Sequence, residues 1–302
     1  MIQAEAFAPG HITGFFKIQE EEGDPLLKGS LGAGVSTSLG VTTKLEIERS
    51  PKTLVEVKIN GKPSEAVVST RVVSIFLERM GESHRVLIEH EAKVPIGCGF
   101  GSSGAGALSL AYALNEALNL NLPKVEASQV AHIAEVSCGT GLGTVIAEVH
   151  GGVEARVTAG APGIGQVKPI PVDNHYLVAC LSFGPMSTKD VLTDPNACLR
   201  INAAGGKLVD ELLAHPSVER LMALSRGFAE EVGLISERVR RVLGEADKRG
   251  FTLSMMMIGD GVFTIVPADA VDQLLEIFNS YASQAGSVII SEIDFKGARV
   301  LS

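Results

Sequence analysis

A glycine-rich segment, Pro95-Ile-Gly-Cys-Gly-Phe-Gly-Ser-Ser-Gly-Ala-Gly106, runs directly into the apolar sequence ALSLAYALNEALNL. Its five glycines fall within ten residues, between an extended segment at 85–94 and a predicted helix at about 103–119. Glycines let a ligand approach the backbone closely and adopt positive φ angles, and the helix N-terminus offers unpaired N–H groups and the positive end of its dipole. The segment is therefore predicted to bind phosphate, with the Ser102 and Ser103 hydroxyls available for phosphate oxygen or magnesium.

The alternative interpretation is a simple turn between a strand and a packed helix, but such a turn needs one or two glycines rather than five. A Walker loop requires Lys followed by Ser or Thr after its last glycine, whereas Ser-Ser follows Gly101. A dinucleotide fingerprint would place an acidic residue about 20 residues further on, and the nearest candidate, Glu116, lies inside the predicted helix. The segment belongs to neither of these two common classes of phosphate loop.

Composition and charge limit the function classes. The chain has 302 residues, more than one hydrophobic core usually holds, so two domains are expected. A formal net charge of −9 argues against nucleic acid or an anionic membrane surface as a partner. The sequence has no apolar run of about 18 residues and no basic, apolar leader, so neither a membrane span nor a signal peptide is predicted. Four cysteines without a CxxC pair or metal-ligand spacing favour a cytoplasmic protein.

Apolar periodicity and turn residues predict an α+β protein. A short strand at 1–10 is expected to end in a Pro9-Gly10 turn, and 29–49 to form a glycine-rich turn that leads into a strand. The elements predicted next are a strand at 53–58 with a hairpin turn at Asn60-Gly61, a helix at 66–80, a strand at 85–94, and helices at 103–119 and 124–137.

The best linker candidate is the stretch AGAPGIGQVKP at 159–169, which contains three glycines and two prolines. It is predicted to separate a first domain, 1–160, from a second, 161–302. The second domain is predicted to contain a strand at 176–183, helices at about 187–249, strands at 252–259 and 261–266, a helix at 270–283 and a strand at 287–293. This order of elements suggests an α+β sandwich of the ferredoxin type.

The glycine-rich segment resembles the phosphate loop of the GHMP kinases, which include galactokinase and the homoserine, mevalonate and phosphomevalonate kinases. Their pattern, Pro-x-x-x-Gly-Leu-Gly-Ser-Ser-Ala, is kept here except for Phe100 in place of leucine and Gly104 in place of alanine. The resemblance implies an N-terminal α/β domain, a C-terminal ferredoxin-like domain, and ATP and substrate in the cleft between them. It also implies that nucleotide is bound by Pro95, Gly97, Gly99, Gly101, Ser102, Ser103, Gly104 and Ala105.

Further segments are similar to the archaeal branch of this superfamily that phosphorylates pantoate. They are Ala8–Phe16, Gly29–Gly34, Thr140–Gly143 and Ser187–Leu192, together with a weakened third family motif at Met257–Thr264. This similarity implies transfer of the ATP γ-phosphoryl group to the 4-hydroxyl of pantoate, in coenzyme A biosynthesis. A homoserine or mevalonate-pathway kinase and a catalytically impaired relative remain alternatives. The oligomeric state is open, with a homodimer as one alternative.

Phosphoryl transfer requires positioned phosphates, a metal ion and a means of activating the acceptor hydroxyl. The resemblance implies that Ser103 and Glu135 hold Mg²⁺, and Glu135 is also the only carboxylate in the run SQVAHIAEVSCGTGLG. Thr144 occupies the position where the family most often has a catalytic aspartate. Two alternatives are open for this position: a mechanism without a carboxylate base, as in homoserine kinases, or a threonine substituted where an aspartate once stood.

The substrate site is predicted from the chemistry of pantoate, whose carboxylate requires a cation and whose two hydroxyls require hydrogen-bond partners. Arg156 is the candidate for the carboxylate, because a planar guanidinium binds it bidentately; the alternative is a surface ion pair. His11, Thr13 and Ser30 are candidates for the hydroxyls. Turn roles are the alternative for Thr13 and Ser30, and a packed histidine is the alternative for His132. The predicted substrate-binding residues are His11, Thr13, Ser30, His132 and Arg156.

Overall fold

The computed structural model describes residues 1–19, 23–282 and 286–301. The first half contains β1 (Ile2–Gln19), β2 (Gly29–Arg49), β3 (Leu54–Ile59), β4 (Lys62–Pro63), α1 (Val67–Met80), β5 (His84–Ala92), α2 (Ser102–Ala117), α3 (Lys124–Cys138), α4 (Thr144–His150), β6 (Val153–Thr158) and β7 (Gln166–Pro169). The second half contains β8 (Tyr176–Pro185), α5 (Thr188–Thr193), α6 (Pro195–Gly205), α7 (Leu208–Ala214), α8 (Val218–Val232), α9 (Glu237–Lys248), β9 (Ser254–Met255), β10 (Gly259–Pro267), a 3-10 turn (Ala268–Ala270), α10 (Val271–Ala282), β11 (Ser287–Glu292) and β12 (Arg299–Leu301).

The first sheet has the order β12-β1-β2-β5-β3-β4, and β6 and β7 extend it from the other end of β2. Its centre is the long antiparallel pair of β1 and β2. The predicted turn at Pro9-Gly10 is wrong, because β1 continues through these residues with a bulge between them. A bulge tolerates a proline that cannot donate a ladder hydrogen bond. The predicted glycine-rich turn at the start of 29–49 is likewise strand, since β2 begins at Gly29.

The second sheet is antiparallel, with the order β11-β8-β10-β9. Numbered along the chain, this is the 4-1-3-2 order of a ferredoxin-like domain, with five helices, α5 to α9, between its first and second strands. The topology confirms the predicted α+β fold class. The predicted helix at 270–283 corresponds to the 3-10 turn and α10, and residue 283 lies outside the described residues.

The division at residue 160 stays a prediction. The first sheet also takes in β7 and β12, both of which follow residue 160 in the chain. Strand β12 pairs with β1, so the end of the described chain returns to the sheet in which it began.

Two apolar cores meet at the glycine-rich segment. Phe100 packs into the core formed by the second sheet, helices α5 to α10 and the middle of β1 and β2. Ala105 and Leu108, on α2, pack into the core between the first sheet and helices α1 to α3. The loop before α2 is therefore anchored in both cores, which holds it at the junction between them. No helix in the described part of the chain is long and apolar enough to cross a bilayer.

Candidate active site

A cavity of about 380 Å³ opens at this junction. Six regions contribute to its wall: the glycine-rich loop, the segment before and at the start of α4, the middle of β1, the start of β2, the start of α5, and the turn between β9 and β10. The lining residues used below are His11, Thr13, Ser30, Gly97, Gly99, Gly101, Ser102, Ser103, Thr140, Gly143, Thr144 and Lys189. The cavity thus brings together most of the predicted loop and the three predicted hydroxyl partners, His11, Thr13 and Ser30.

The loop has the backbone geometry of an anion site. Gly97, Gly99 and Gly101 have φ angles of 72°, 85° and 62°, a region that favours glycine. Gly101 is the N-cap of α2, and no side chain caps the first N–H groups of this helix. These groups are therefore available to an anion, and the helix dipole favours negative charge at the same place.

Ser103, Glu135 and Thr140 form a compact cluster of oxygen atoms beside the loop. The Ser103 hydroxyl donates to Glu135 Oε2 at 3.1 Å, and the Thr140 hydroxyl donates to Glu135 Oε1 at 2.7 Å. Burial raises the pKa of Glu135 to about 7, although the two hydroxyl bonds partly offset it. Carboxylate and hydroxyl oxygens are the donors that Mg²⁺ prefers, and Mg²⁺ needs only one or two of them from a protein. These residues therefore fit a magnesium ion.

Thr144 is the first residue of α4 and lines the cavity, so no carboxylate occupies the position of the family's aspartate. One helical turn later, Glu148 is fully buried, and neither of its carboxyl oxygens has a hydrogen-bond partner among the described residues. Burial raises the pKa of Glu148 well above its usual value, and the nearby Glu135 raises it further. Sequence analysis missed Glu148, whose only signal is an acid within the apolar run TVIAEVH.

Glu148 also accounts for one departure from the family pattern. A methyl group built on Gly104 would lie 3.0 and 3.2 Å from the two Glu148 carboxyl oxygens, a tighter approach than ordinary van der Waals contact. The alanine of the family pattern would therefore crowd this acid. The carboxyl group of Glu148 fills the space beside Gly104, so a residue without a side chain fits there best.

A second buried acid organises the opposite side of the cavity. Glu154 Oε1 accepts a hydrogen bond from His11 Nε2 at 2.8 Å and another from Arg156 Nη1 at 2.8 Å. Burial alone would raise the pKa of Glu154, but Arg156 and His11 together lower it below its ordinary value. Burial lowers the pKa of His11, more than the Glu154 carboxylate raises it. The structure thus favours an ionised Glu154 beside a neutral His11.

Other predicted residues lie outside the cavity wall. Arg156 is 1% exposed and paired with Glu154, so the alternative of a surface ion pair is wrong. Its Nε atom has no hydrogen-bond partner among the described residues and lies 3.3 Å from where a side chain on Gly143 would begin. His132 does not line the cavity; it is buried and bonds to the Pro25 carbonyl oxygen at 3.1 Å, the role of a packed histidine.

Three of the residues predicted to bind nucleotide do not line the cavity. Pro95, Gly104 and Ala105 do not line the cavity, since they precede the turn or lie in the buried part of α2. Sequence analysis missed Lys189 and Thr140 as lining residues. Both lie in segments already quoted for their family similarity, at 187–192 and 140–143, but neither residue stands out by its type or spacing.

Comparisons with known proteins give the family of the chain. Residues 68–152 match the family described as GHMP kinases N terminal domain. The fold, the loop and the oxygen cluster thus define the chain as a GHMP-type kinase.

The more specific relationship comes from full-length relatives. The chain is 36% identical to a pantoate kinase of Methanocaldococcus jannaschii, over 91% of this chain and 97% of that protein. It is 37% identical to a pantoate kinase of Thermococcus kodakarensis, over 91% of this chain and 92% of that protein. A solved structure described as a phosphotransferase related to the CoA biosynthesis pathway superposes with a TM-score of 0.88 and 32% identity, over 99% of this chain and 98% of that one. The chain belongs to the pantoate kinase family.

Proposed function

We propose that the protein transfers the γ-phosphoryl group of ATP to the 4-hydroxyl of pantoate, a step in coenzyme A biosynthesis. The observation that carries the proposal is one cavity in which a glycine-rich anion loop, the Ser103–Glu135 pair and the polar wall around His11 and Thr13 meet. Its relatives in the pantoate kinase family support the choice of substrate. The site is proposed to work in the cytoplasm.

The nucleotide half of the site follows from the loop. The N–H groups at the start of α2 and the positive-φ glycines bind the phosphates of ATP, and the Lys189 side chain lies at the same cavity to neutralise their charge. Ser103 and Glu135 would hold Mg²⁺, which would neutralise charge on the phosphates when bound. The Thr140 hydroxyl keeps the Glu135 carboxyl oriented toward Ser103.

The substrate half of the site lies toward β1, β2 and β6. Arg156 is proposed to attract the carboxylate of pantoate, because its buried Nε–H has no partner among the described residues and lies behind Gly143 at the cavity wall. An unpaired buried donor is costly, so a ligand oxygen that reaches it gains a charge-assisted hydrogen bond. Thr13 and Ser30 are proposed to bind the hydroxyls.

Release of ADP tests the substrate directly. We expect the purified protein to release ADP with pantoate and magnesium, and not with homoserine or mevalonate at equal concentration. Phosphorus NMR of the product should show the phosphate on the 4-hydroxyl. Greater turnover with homoserine or mevalonate would overturn the proposal.

A variant of the proposed Ser103–Glu135 metal pair tests the magnesium assignment. Ser103→Ala removes one oxygen at the cavity and should lower turnover by at least about a hundredfold, as expected for losing a group that stabilises transferred charge. Its circular dichroism should match that of the parent, because Ser103 is only partly buried. Turnover near that of the parent would remove the metal assignment. Light scattering on the same samples tests whether the protein is a homodimer, one of the alternatives left open by the sequence.

A further inference from the structure

A hydroxyl, an imidazole and a carboxylate lie in series from the cavity wall inward. The Thr13 hydroxyl is 3.4 Å from His11 Nδ1, and His11 Nε2 is 2.8 Å from Glu154 Oε1. Thr13 and His11 both line the cavity, and Thr13 is partly exposed, whereas the side chains of His11 and Glu154 are fully buried. The series therefore leads from the cavity into the interior of the first sheet.

Strand register explains how three residues from two separated strands make this series. His11 and Thr13 are two residues apart on β1, so their side chains share one face of the sheet. Gly34 on β2 pairs with Thr13 on one side and with Glu154 of β6 on the other. A side chain on Gly34 would begin 2.6 Å from the His11 ring, so the glycine gives the imidazole room to cross β2 and reach Glu154.

The hydrogen bonds fix the direction in which the series can carry a proton. Arg156 and His150 also act on Glu154, and Arg156, which donates to it directly, makes the larger contribution to keeping it ionised. An ionised carboxylate only accepts, so His11 Nε2 must be the donor in the bond between them. The neutral ring then has a bare Nδ1, which accepts from the Thr13 hydroxyl.

We propose that Thr13, His11 and Glu154 form a proton relay that takes the proton of the acceptor hydroxyl, in place of the carboxylate base that Thr144 does not supply. This inference rests on the proposed function. The acceptor oxygen bonds to the γ-phosphorus while the bond from that phosphorus to the β–γ bridging oxygen breaks, and its electron pair leaves with ADP. The acceptor proton passes to Thr13 Oγ1 as the Thr13 proton passes to His11 Nδ1. Glu154 stabilises the resulting imidazolium and is a positioning residue.

The test compares two substitutions of the same side chain. Thr13→Val removes the hydroxyl at nearly constant volume, and we expect kcat to fall by about 10² to 10⁴, the usual range for general-base help. Thr13→Ser keeps the hydroxyl and should recover most of that loss. KM for ATP should stay close to that of the parent in both variants, because the nucleotide site is untouched.

A double variant, Thr13→Val with Thr144→Asp, tests whether the Thr13 hydroxyl serves in removing the proton. Thr144→Asp places the family's carboxylate at the start of α4, at the cavity wall. If the relay removes the proton, the double variant with Thr13→Val should regain at least about tenfold in kcat over Thr13→Val alone. Unchanged kcat in Thr13→Val, or equal losses in the Val and Ser variants, would overturn the relay.

Nitrogen NMR of the His11 ring shows which ring nitrogen carries the proton, so it tests the relay even if pantoate is not the substrate. At pH 7 we expect a neutral ring with the proton on Nε2 and none on Nδ1, identified by comparison with the spectrum of His11→Asn. A ring protonated on Nδ1, or on both nitrogens, would overturn the relay. A parent protein that binds ATP but phosphorylates no pantoate would instead overturn the proposed function, and the ring spectrum would still decide the relay.

Discussion

Restoring the family's alanine at Gly104 should harm this protein, although alanine is the better helix former. Gly104 lies in the first turns of α2 and is buried against α4. A methyl group there would lie 3.0 Å from Glu148 Oε2 and 3.2 Å from Oε1. Both oxygens belong to a fully buried side chain, so the carboxyl group has little room to withdraw.

The expected magnitude follows from two opposing terms. Replacing a glycine inside a helix with alanine stabilises by about 0.8–1 kcal/mol. Overpacking a closed interior costs about 1–3 kcal/mol, so Gly104→Ala should lower the free energy of unfolding by about 0–2 kcal/mol. When Glu148 is also changed to alanine, the added methyl has space, and the same substitution should raise it by about 1 kcal/mol. The two sites should therefore be coupled by about 1–3 kcal/mol.

Urea denaturation of the parent, both single variants and the double variant measures this coupling. The loss caused by Glu148→Ala alone cancels from the cycle, so the result does not depend on the size of the cavity that this change leaves. Glu148→Gln is the matched control, because an amide of the same shape should crowd the new methyl as the acid does. An equal effect of Gly104→Ala in the parent and in the Glu148→Ala background would refute the steric explanation.

Two further predictions concern the substrate cation and a buried histidine. Arg156→Lys keeps a positive charge beside Glu154 but loses the planar guanidinium group that can bind a carboxylate with two hydrogen bonds. In an ADP-release assay, KM for pantoate should therefore rise by about 10- to 100-fold with little change in KM for ATP. Equal effects on both substrates would indicate a structural role. Burial lowers the pKa of His90 from 6.5 to about 4. Between these pH values the unfolded chain binds more protons at His90 than the folded chain does, so the free energy of unfolding falls as the pH drops. Over the whole range, His90 should contribute a loss of up to about 3 kcal/mol. His90→Gln should flatten this part of the stability curve in urea titrations between pH 4.5 and 7, and parallel curves would contradict the prediction.

Sequence patterns predicted the elements whose structure is determined locally. The helices α1 and α3 were placed within one residue of their observed ends, because apolar periodicity and the glycine that follows each helix mark them. The glycine-rich loop was also located from the sequence, and the positive φ angles of Gly97, Gly99 and Gly101 give its glycines a local conformational reason, while its binding of phosphate stays a prediction. The order of elements also suggested a ferredoxin-type sandwich for the second half, and the family resemblance implied it, but the strand order of the second sheet was not predicted and comes from the structure.

The missed features depend on contacts between distant parts of the chain. Gly10 and Gly34 suggested turns, but they are strand residues that allow close approach, of the Leu39 carbonyl oxygen to Gly10 and of the His11 ring to Gly34. Glu148 and Glu154 resemble ordinary acids in the sequence, and only tertiary packing buries them. His132 was placed near the site because it shares a helix with Glu135, yet its ring bonds to the Pro25 carbonyl oxygen.

The replacement of aspartate by Thr144 and the buried acid at Glu148 are two parts of one arrangement. The Thr144 methyl and Glu148 Oε1 both lie 2.7 Å from the point where a side chain on Gly101 would begin, so they occupy the same side of the loop. Glu135 lies close enough to Glu148 to raise its pKa further. An aspartate at residue 144 would add a third acid to this small volume, where like charges disfavour ionisation. Threonine avoids that repulsion. In the proposed relay, the proton of the acceptor hydroxyl is instead removed on the opposite side of the cavity, where Arg156 keeps Glu154 ionised.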